Sequence, residues 1–296
     1  MTGKLCVVTG GTSGIGRAIA LELGRAGADV VIIGRNTHRG EQVVQRLKRE
    51  ANTASASHLF LRCDLSSLRE VRALAGNILA LNRPIDVLIN NAGAKFDHFA
   101  TSEEGIEMTF AANHLGHFLL TALLFERLAA APAAHIIAIA GQSHQSADDQ
   151  FEQGLKPEHF DRRMAACRAK LANLLFTFEL ARRLPAGSIT VSAVHPGGVA
   201  TRVNLNNGIL PWLRHIGSHL ISRDLISARR GADTAVFLAT SSTPSPSTGQ
   251  YWFRRQPLVA SPLAQDRGAA QRLWQLSARL VQLDENIGAG WAVFRD

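Results

Sequence analysis

The sequence predicts an α/β fold, a doubly wound parallel sheet covered by helices on both faces, in a single domain over residues 1–296. Three observations predict it. Short continuous apolar runs at 5–9, 29–34, 58–62, 86–90, 135–140 and 188–194 read as strands buried on both faces. Segments of helical period lie between them, at 15–27, 39–51, 67–82, 103–130 and 159–183. The first strand also passes into the first helix through a glycine-rich turn, "TGGTSGIG" (9–16). No internal repeat or linker interrupts this alternation. The Ser/Pro/Thr stretch at 240–250 reads as a surface loop, because strand-like Tyr251-Trp252-Phe253 follows it directly.

Composition narrows the class. Apolar residues are 46% of the chain and charged ones 19%, which is globular and gives ample core. No apolar run reaches the roughly 18–20 residues that span a bilayer; the longest candidate, 128–140, is broken by Pro132 and His135. Strand-like Lys4 to Val8 leaves no room for a signal peptide. Cys6, Cys63 and Cys167 are widely spaced with no CxxC pair, so buried free thiols are expected, and with them a cytoplasmic protein. The net charge of +8 comes from scattered arginines, with no Lys/Arg block interleaved with aromatics. Nucleic acid is therefore not the expected partner, and a phosphate-rich cofactor is the more economical use of the charge.

The turn after the first strand carries Gly10, Gly14 and Gly16, with Thr12, Ser13 and Ile15 between and beside them. Glycines there permit positive φ and let backbone N–H groups approach a pyrophosphate, while the helix N-terminus adds partial positive charge. The second strand, "DVVIIGRN", ends in Gly34-Arg35-Asn36, with Arg39 one turn on. An acid at that end would bind a ribose 2′-hydroxyl and repel a 2′-phosphate; a guanidinium suits the 2′-phosphate of NADP(H). The plainer reading is a solvated arginine. After the third strand, "RCDLSS" places Asp64 and Leu65 where a carboxylate accepts from an adenine amino group.

In order and spacing, Thr9-Gly10-x3-Gly14-Ile15-Gly16, Asp64, Asn90-Asn91-Ala92-Gly93, Asn113, Lys170 and Pro196-Gly197 resemble the short-chain dehydrogenase/reductase family over most of the chain. "NHLGHFLLTALL" (113–124), "KLANLLFTFELARRL" and "VHPGGVATRV" look most like its retinol dehydrogenase-like branch. The resemblance implies a Rossmann-type fold, NADP(H), and a bulky apolar alcohol or aldehyde as substrate. It implies that Asn91, Ala92, Gly93, Pro196, Gly197, Val199 and Thr201 lie along the cofactor, that Lys170 binds the nicotinamide ribose, and that Asn113 serves the active site. It also implies a substrate lid at 203–230 and a homo-oligomer formed through the helices near 103–130 and 159–183.

The chain departs from the family at two places. The family's tyrosine, four residues before the lysine, falls on Ala166, and its serine falls on Gly141; the sole tyrosine is Tyr251. Loss of a general acid costs about 10²- to 10⁴-fold, and loss of a carbonyl-oxygen donor about 10²-fold. Ser143 and His144, just past Gly141, are the candidate replacements. Arg163 suits an oxyanion but is too weak an acid, His117 reads as a core histidine, and Cys167 turns about 100° away from Ala166. Three readings follow: a divergent NADP(H) oxidoreductase, a redox-silent cyclase or isomerase, and a non-catalytic NADP(H)-binding protein. The lid segment pairs an apolar face (Ile209, Leu210, Trp212, Leu213, Ile216) with basic residues. That pattern fits a core helix, a cover over a lipophilic ligand, or peripheral contact with a membrane surface. Lys95 and Phe96 are expected at the same pocket mouth.

Overall fold

Strands β1 (Leu5–Thr9), β2 (Asp29–Gly34), β3 (His58–Arg62), β4 (Val87–Asn90), β5 (Ala134–Ile139), β6 (Ile189–Val194), β7 (Gln250–Phe253) and β8 (Gln256–Pro257) form one sheet. Their order is β3-β2-β1-β4-β5-β6-β7-β8. All neighbours run parallel except β7 and β8, an antiparallel edge pair. The computed structural model describes residues 1–51, 56–185, 187, 189–198, 227–241 and 248–283. The chain winds outward from β1 through β2 and β3, then returns to place β4 on the other side of β1. Between the carboxyl ends of β1 and β4 the order reverses, which opens a crevice in such sheets.

Strand periodicity divides the core in two. On one face Leu5, Val7, Val31, Ile33, Leu88 and Ile136 pack against α3 (Leu68–Leu79), α5 (Gly116–Leu123), α8 (Arg162–Arg183) and α11 (Arg267–Leu280). On the other face Cys6, Val8, Val30, Ile32, Ile89 and Ile137 pack against α1 (Gly14–Arg25), α2 (Thr37–Glu50) and α9 (Ala228–Thr240). With both faces covered, every residue of β1, β4 and β5 is buried, so these strands read as unbroken apolar runs. Phe118, Phe176 and Trp274 meet at ring separations of 5.1–5.8 Å and tie α5, α8 and α11 together. Full burial of each such ring contributes about 2–3 kcal/mol. That cluster anchors the helix that carries Lys170.

The predicted strands agree with the observed ones to within one residue at each end. The helices differ more. The expected helix at 103–130 is four pieces: α4 (Met108–Phe110), a π turn at Ala111–Leu115, α5, and α6 (Phe125–Ala129). It starts late because Gly105 turns at φ +77° and the Glu107 carboxylate accepts from Thr109 N and Phe110 N, which caps α4. The helix expected from 159 starts at Arg162, where Asp161 caps Met164 N at 2.6 Å. Short α7 (Phe151–Gly154) and α10 (Pro262–Gln265), together with α9 and α11, complete the order. Residues 203–226 of the expected lid, and Val199 and Thr201, lie outside the described residues. Residues 227–230 open α9: Ser227 caps it, and its first turn meets α1 through Arg229 and Glu22 at 2.9 Å. The three cysteines are buried and free, and burial pushes the Cys63 thiol up to about 12. Among the described residues, no helix is long and apolar enough to cross a membrane.

Candidate active site

A cleft of about 400 Å³ opens at the carboxyl ends of β1, β2, β4 and β5. Its floor is the glycine turn. Gly10 and Gly14 adopt φ +67° and +54°, and a Cβ on Gly10 would come 2.8 Å from Asn91 Nδ2 and 2.9 Å from Ala92 Cα. A Cβ on Gly16 would overlap Asn91 Nδ2, so α1 approaches the β4 loop closely only because this position is glycine. Ser13 occupies the N-cap of α1 without a side-chain cap, and the first turn holds no acid. The N–H groups there are left to an anion, and Thr12, Ser13 and Ile15 line the cleft beside them.

Thr9 joins the two halves of the floor. Its hydroxyl accepts from Asn91 N (2.8 Å) and Ala92 N (3.0 Å), and Asn91 Nδ2 donates to Thr9 O (2.8 Å). His117 completes this knot. Its Nδ1 donates to Asn113 O at 3.1 Å, so neutral Nε2 accepts from the Thr9 hydroxyl at 2.9 Å. Burial lowers this imidazole to about 4, which keeps it neutral, as expected of a core histidine.

At the end beside β2 and β3, Arg35, Asn36, Arg39, Asp64 and Leu65 line the cleft. Asp64 Oδ1 accepts from Ser66 N (3.0 Å) and Ser66 Oγ (2.8 Å), and Oδ2 lies 3.7 Å from Arg35 Nη1. Asn36 spends its side-chain oxygen on Arg39 N as the cap of α2, so its place there is structural as well as exposed to a ligand. These residues would suit a dinucleotide: open N–H groups at the turn for a pyrophosphate, and the exposed Arg35 guanidinium for an anionic substituent.

At the other end stand Asn91, Ala92, Gly93, Asn113, Gly141, Ser143, Ala166, Lys170, Pro196 and Gly197. The π turn carries Asn113, whose amide is fully used: Nδ2 donates to Ala94 O (2.8 Å) and Thr109 O (2.7 Å), and Oδ1 accepts from Ala94 N (3.2 Å). It shapes the loop after β4. Lys170 Nζ reaches across from α8 to donate to Ile139 O at 3.0 Å, at the end of β5. Burial, and then the charge of Lys95, lower its ammonium to about 8. Ala166, one turn earlier on α8, offers only a methyl group to the cleft. A Cβ on Gly141 would meet nothing nearer than Lys170 Cγ at 3.9 Å, so the space beside the lysine is open.

Two expectations need correction. His144 does not face the cleft. It is 1% exposed, Nδ1 donates to Gly141 O (2.8 Å), and Nε2 accepts from Ser261 N (3.1 Å). Both nitrogens are committed to backbone, so the ring pins the turn after β5 to the cap of α10 and has no proton to move. The signal missing from the sequence was Ser261, 117 residues away. Phe96 is not among the residues lining the cleft, whereas Lys95 is. Tyr251 also lies outside the lining, buried against His144 with ring centroids 5.5 Å apart. Cys167 is buried away from the cleft, and burial raises its thiol. Sequence reasoning missed the role of Thr9 as a hub, which only the pairing of β1 with β4 reveals.

Residues 4–208 match the family described as short chain dehydrogenase. The chain is 34% identical over 281 residues to retinol dehydrogenase 12 of Homo sapiens, covering 95% of this chain and 87% of that protein. The crystal structure of an uncharacterized protein from Mycobacterium Paratuberculosis is similar with a TM-score of 0.74 at 30% identity, over 95% of this chain and 94% of that one. A metagenomic short-chain oxidoreductase in complex with NADP is similar with a TM-score of 0.63 at 25% identity, over 84% of this chain and 96% of that one. With the glycine turn, the π-turn asparagine and the cleft lysine brought to one crevice, these matches lead to one statement: the chain belongs to the short-chain dehydrogenase family of oxidoreductases and is retinol dehydrogenase-like.

Proposed function

We propose that this protein binds NADP(H) and acts as a divergent oxidoreductase on a lipophilic carbonyl or alcohol, with Ala166 and Gly141 where the family carries its tyrosine and serine. One observation supports it above the rest: the glycine turn, Arg35 and Lys170 line a single continuous cleft at the sheet's switch point. Arg35 and Arg39 would hold the 2′-phosphate, the Gly10–Gly16 turn the pyrophosphate, and Lys170 the nicotinamide ribose. Val199 and Thr201 complete the proposed cofactor set, and residues of 203–226 the proposed cover over the substrate. When bound, NADP(H) supplies or accepts the hydride.

The remaining chemistry belongs to the chain. Asn113 holds the loop that shapes the reaction end. Among the described residues lining that end, the Lys170 ammonium, at about 8, is well placed to give or take a proton near neutrality. Ser143 is a far weaker acid and serves as a hydrogen-bond donor to the substrate oxygen. The substrate class follows the retinol dehydrogenase-like sequence.

Deuteride transfer tests this. NADPH carrying deuterium at C4 is incubated with the protein and a panel of long-chain and polyene aldehydes, and the products are analysed by mass. Label in the alcohol is the expected result. Product formed with the nicotinamide absorbance unchanged would replace this reading with a cyclase or isomerase, which the open space at Ala166 and Gly141 favours as the second choice. Cofactor binding with no turnover would leave a binding protein, and absence of NADP(H) binding by calorimetry defeats all three.

A further inference from the structure

Where β5 ends, the cleft is lined by Ile139, Ala140, Gly141 and Ser143 together with Ala166 and Lys170 of α8. A Cβ on Gly141 would meet only Lys170 Cγ, at 3.9 Å, and the four-residue step from Ala166 to Lys170 puts both on one face of α8. Methyl, methylene and backbone groups make up most of this wall, so it suits an apolar body such as a flat ring. The polar side chains there are Lys170 and Ser143. An ammonium carries three N–H donors. Lys170 Nζ commits one, to Ile139 O at 3.0 Å, and among the described residues no other acceptor meets it. Burial holds this ammonium down to about 8, so an added acceptor oxygen, a negative one above all, relieves a desolvated charge. The other charged side chains lining the cleft are Arg35, Arg39 and Asp64, toward β2 and β3, and Lys95, on the loop after β4.

We propose that this space receives a hydroxyl-bearing flat ring, so that the substrate is a lipophilic carbonyl compound with its own phenolic or enolic hydroxyl, seated with that oxygen against Lys170 Nζ. This rests on the reading of the cleft as an NADP(H)-dependent reductase site in which positions 141 and 166 offer no proton donor. The ligand then brings the acid itself. Reduction of the carbonyl takes its proton from the neighbouring hydroxyl. The Lys170 ammonium returns a proton to the hydroxyl oxygen and is left as the neutral amine, which water recharges. Lys170 remains the proton source, one oxygen removed from the carbonyl.

Binding of 4-nitrophenol tests the site, because this probe ionises near neutrality and only its phenolate is yellow. Spectral titration of cofactor-free and NADP⁺-loaded protein should show the bound probe richer in phenolate than the free probe at the same pH, by about tenfold. Calorimetry should find 4-nitroanisole, the same ring without the hydroxyl, bound about tenfold more weakly. Lys170→Met should abolish the phenolate excess, Lys95→Met should keep it, and Ala166→Leu should exclude the probe; thermal unfolding checks that each variant is folded. The comparison of the two probes on the parent protein stands without any variant. No probe binding, an unshifted bound probe, equal affinity for the anisole, or an excess that survives Lys170→Met would each overturn the proposal. The reductase reading fails separately, if NADP⁺ does not bind or deuteride reaches no aldehyde. Deuteride reaching 2-hydroxy-1-naphthaldehyde about tenfold faster than 1-naphthaldehyde supports both; equal rates leave the reductase and sink the hydroxyl site.

Discussion

Replacing Gly141 by serine and Ala166 by tyrosine should raise the carbonyl reduction proposed for this cleft by orders of magnitude. The structure admits both changes. Gly141 has φ 168°, extended backbone that any residue adopts, and its added Cβ is 3.9 Å from the nearest atom. Ala166 lies within α8 one turn before Lys170 and lines the cleft, so a tyrosine there projects into open space rather than into the core. The new phenol would stand on the same helical face as the Lys170 ammonium, which favours the phenolate and lowers its pKa. Restoring a general acid is worth about 10²- to 10⁴-fold, or roughly 3–5 kcal/mol of barrier. The serine donor adds about 10²-fold, but the two work as one unit, so the double variant gains about 10³- to 10⁴-fold rather than the product. NADPH consumption against an apolar aldehyde panel, with deuterium transfer as the control for uncoupled oxidation, measures it. Thermal unfolding and NADP⁺ calorimetry accompany each variant. If the double variant folds and binds NADP⁺ but reduces no faster than the parent, the cleft is not organised as a family active site beyond its cofactor half.

Arg35→Ala should weaken NADPH about tenfold while leaving NADH nearly unchanged, because one exposed charge-assisted contact is lost; calorimetry with both nucleotides checks this, and equal losses would mean a general effect on the cleft. His144→Ala should lower unfolding stability by about 1–3 kcal/mol, since Ser261 N loses its partner and Gly141 O keeps only the backbone N–H of residue 144, and it should leave NADP⁺ affinity within twofold; chemical denaturation and calorimetry read the two effects. Lys170 predicts a pH dependence. Its ammonium is held near 8 in the fold against 10.5 unfolded, so below about 8 both states are charged and the fold bears the full desolvation cost. Between about 8 and 10.5 the folded lysine is the more deprotonated, and that cost is relieved as pH rises. Cofactor-free Lys170→Met protein should therefore melt higher than the parent at pH 7, and the gap should narrow toward pH 10.5; a constant gap, or a lower melting point throughout, refutes the lysine as a buried charge.

The sheet was legible because its strands are covered on both faces. Runs such as Val30 to Ile33 and Ile136 to Ile139 have no polar alternation to confuse them. The glycine turn was legible because its requirement is local: positive φ at Gly10 and Gly14, directly after the strand that ends at Thr9. What escaped was small or distant. α9 buries Ala232, Ala235, Leu238 and Ala239 on the α1 side of the sheet, a face that the reading of its first turn as lid passed over. The break at 103–110 depends on a buried carboxylate, Glu107, turned back on its own helix, which burial holds above the usual carboxylate range. His144 looked catalytic from its position three residues past Gly141, and only the approach of Ser261 shows its nitrogens to be spent.

That contrast bears on what Asn113 and Lys170 can tell about chemistry. Asn113 satisfies Ala94 N, Ala94 O and Thr109 O at once, so replacing it leaves three backbone groups to find other partners. Lys170 binds Ile139 O at the rim of the cleft. Both residues have structural work in the bare fold. A tyrosine at 166 or a serine at 141 would have had none, because nothing lies near enough to Gly141 to need a donor, and Ala166 faces open cleft. On the proposed reading, the first pair therefore keeps the architecture of a nucleotide site independently of any proton transfer through positions 141 and 166. Under the proposed reading the described groups left to act on a substrate are Lys170 and Ser143, so substitutions there and at Ala166 bear more directly on this protein's chemistry than any at Asn113.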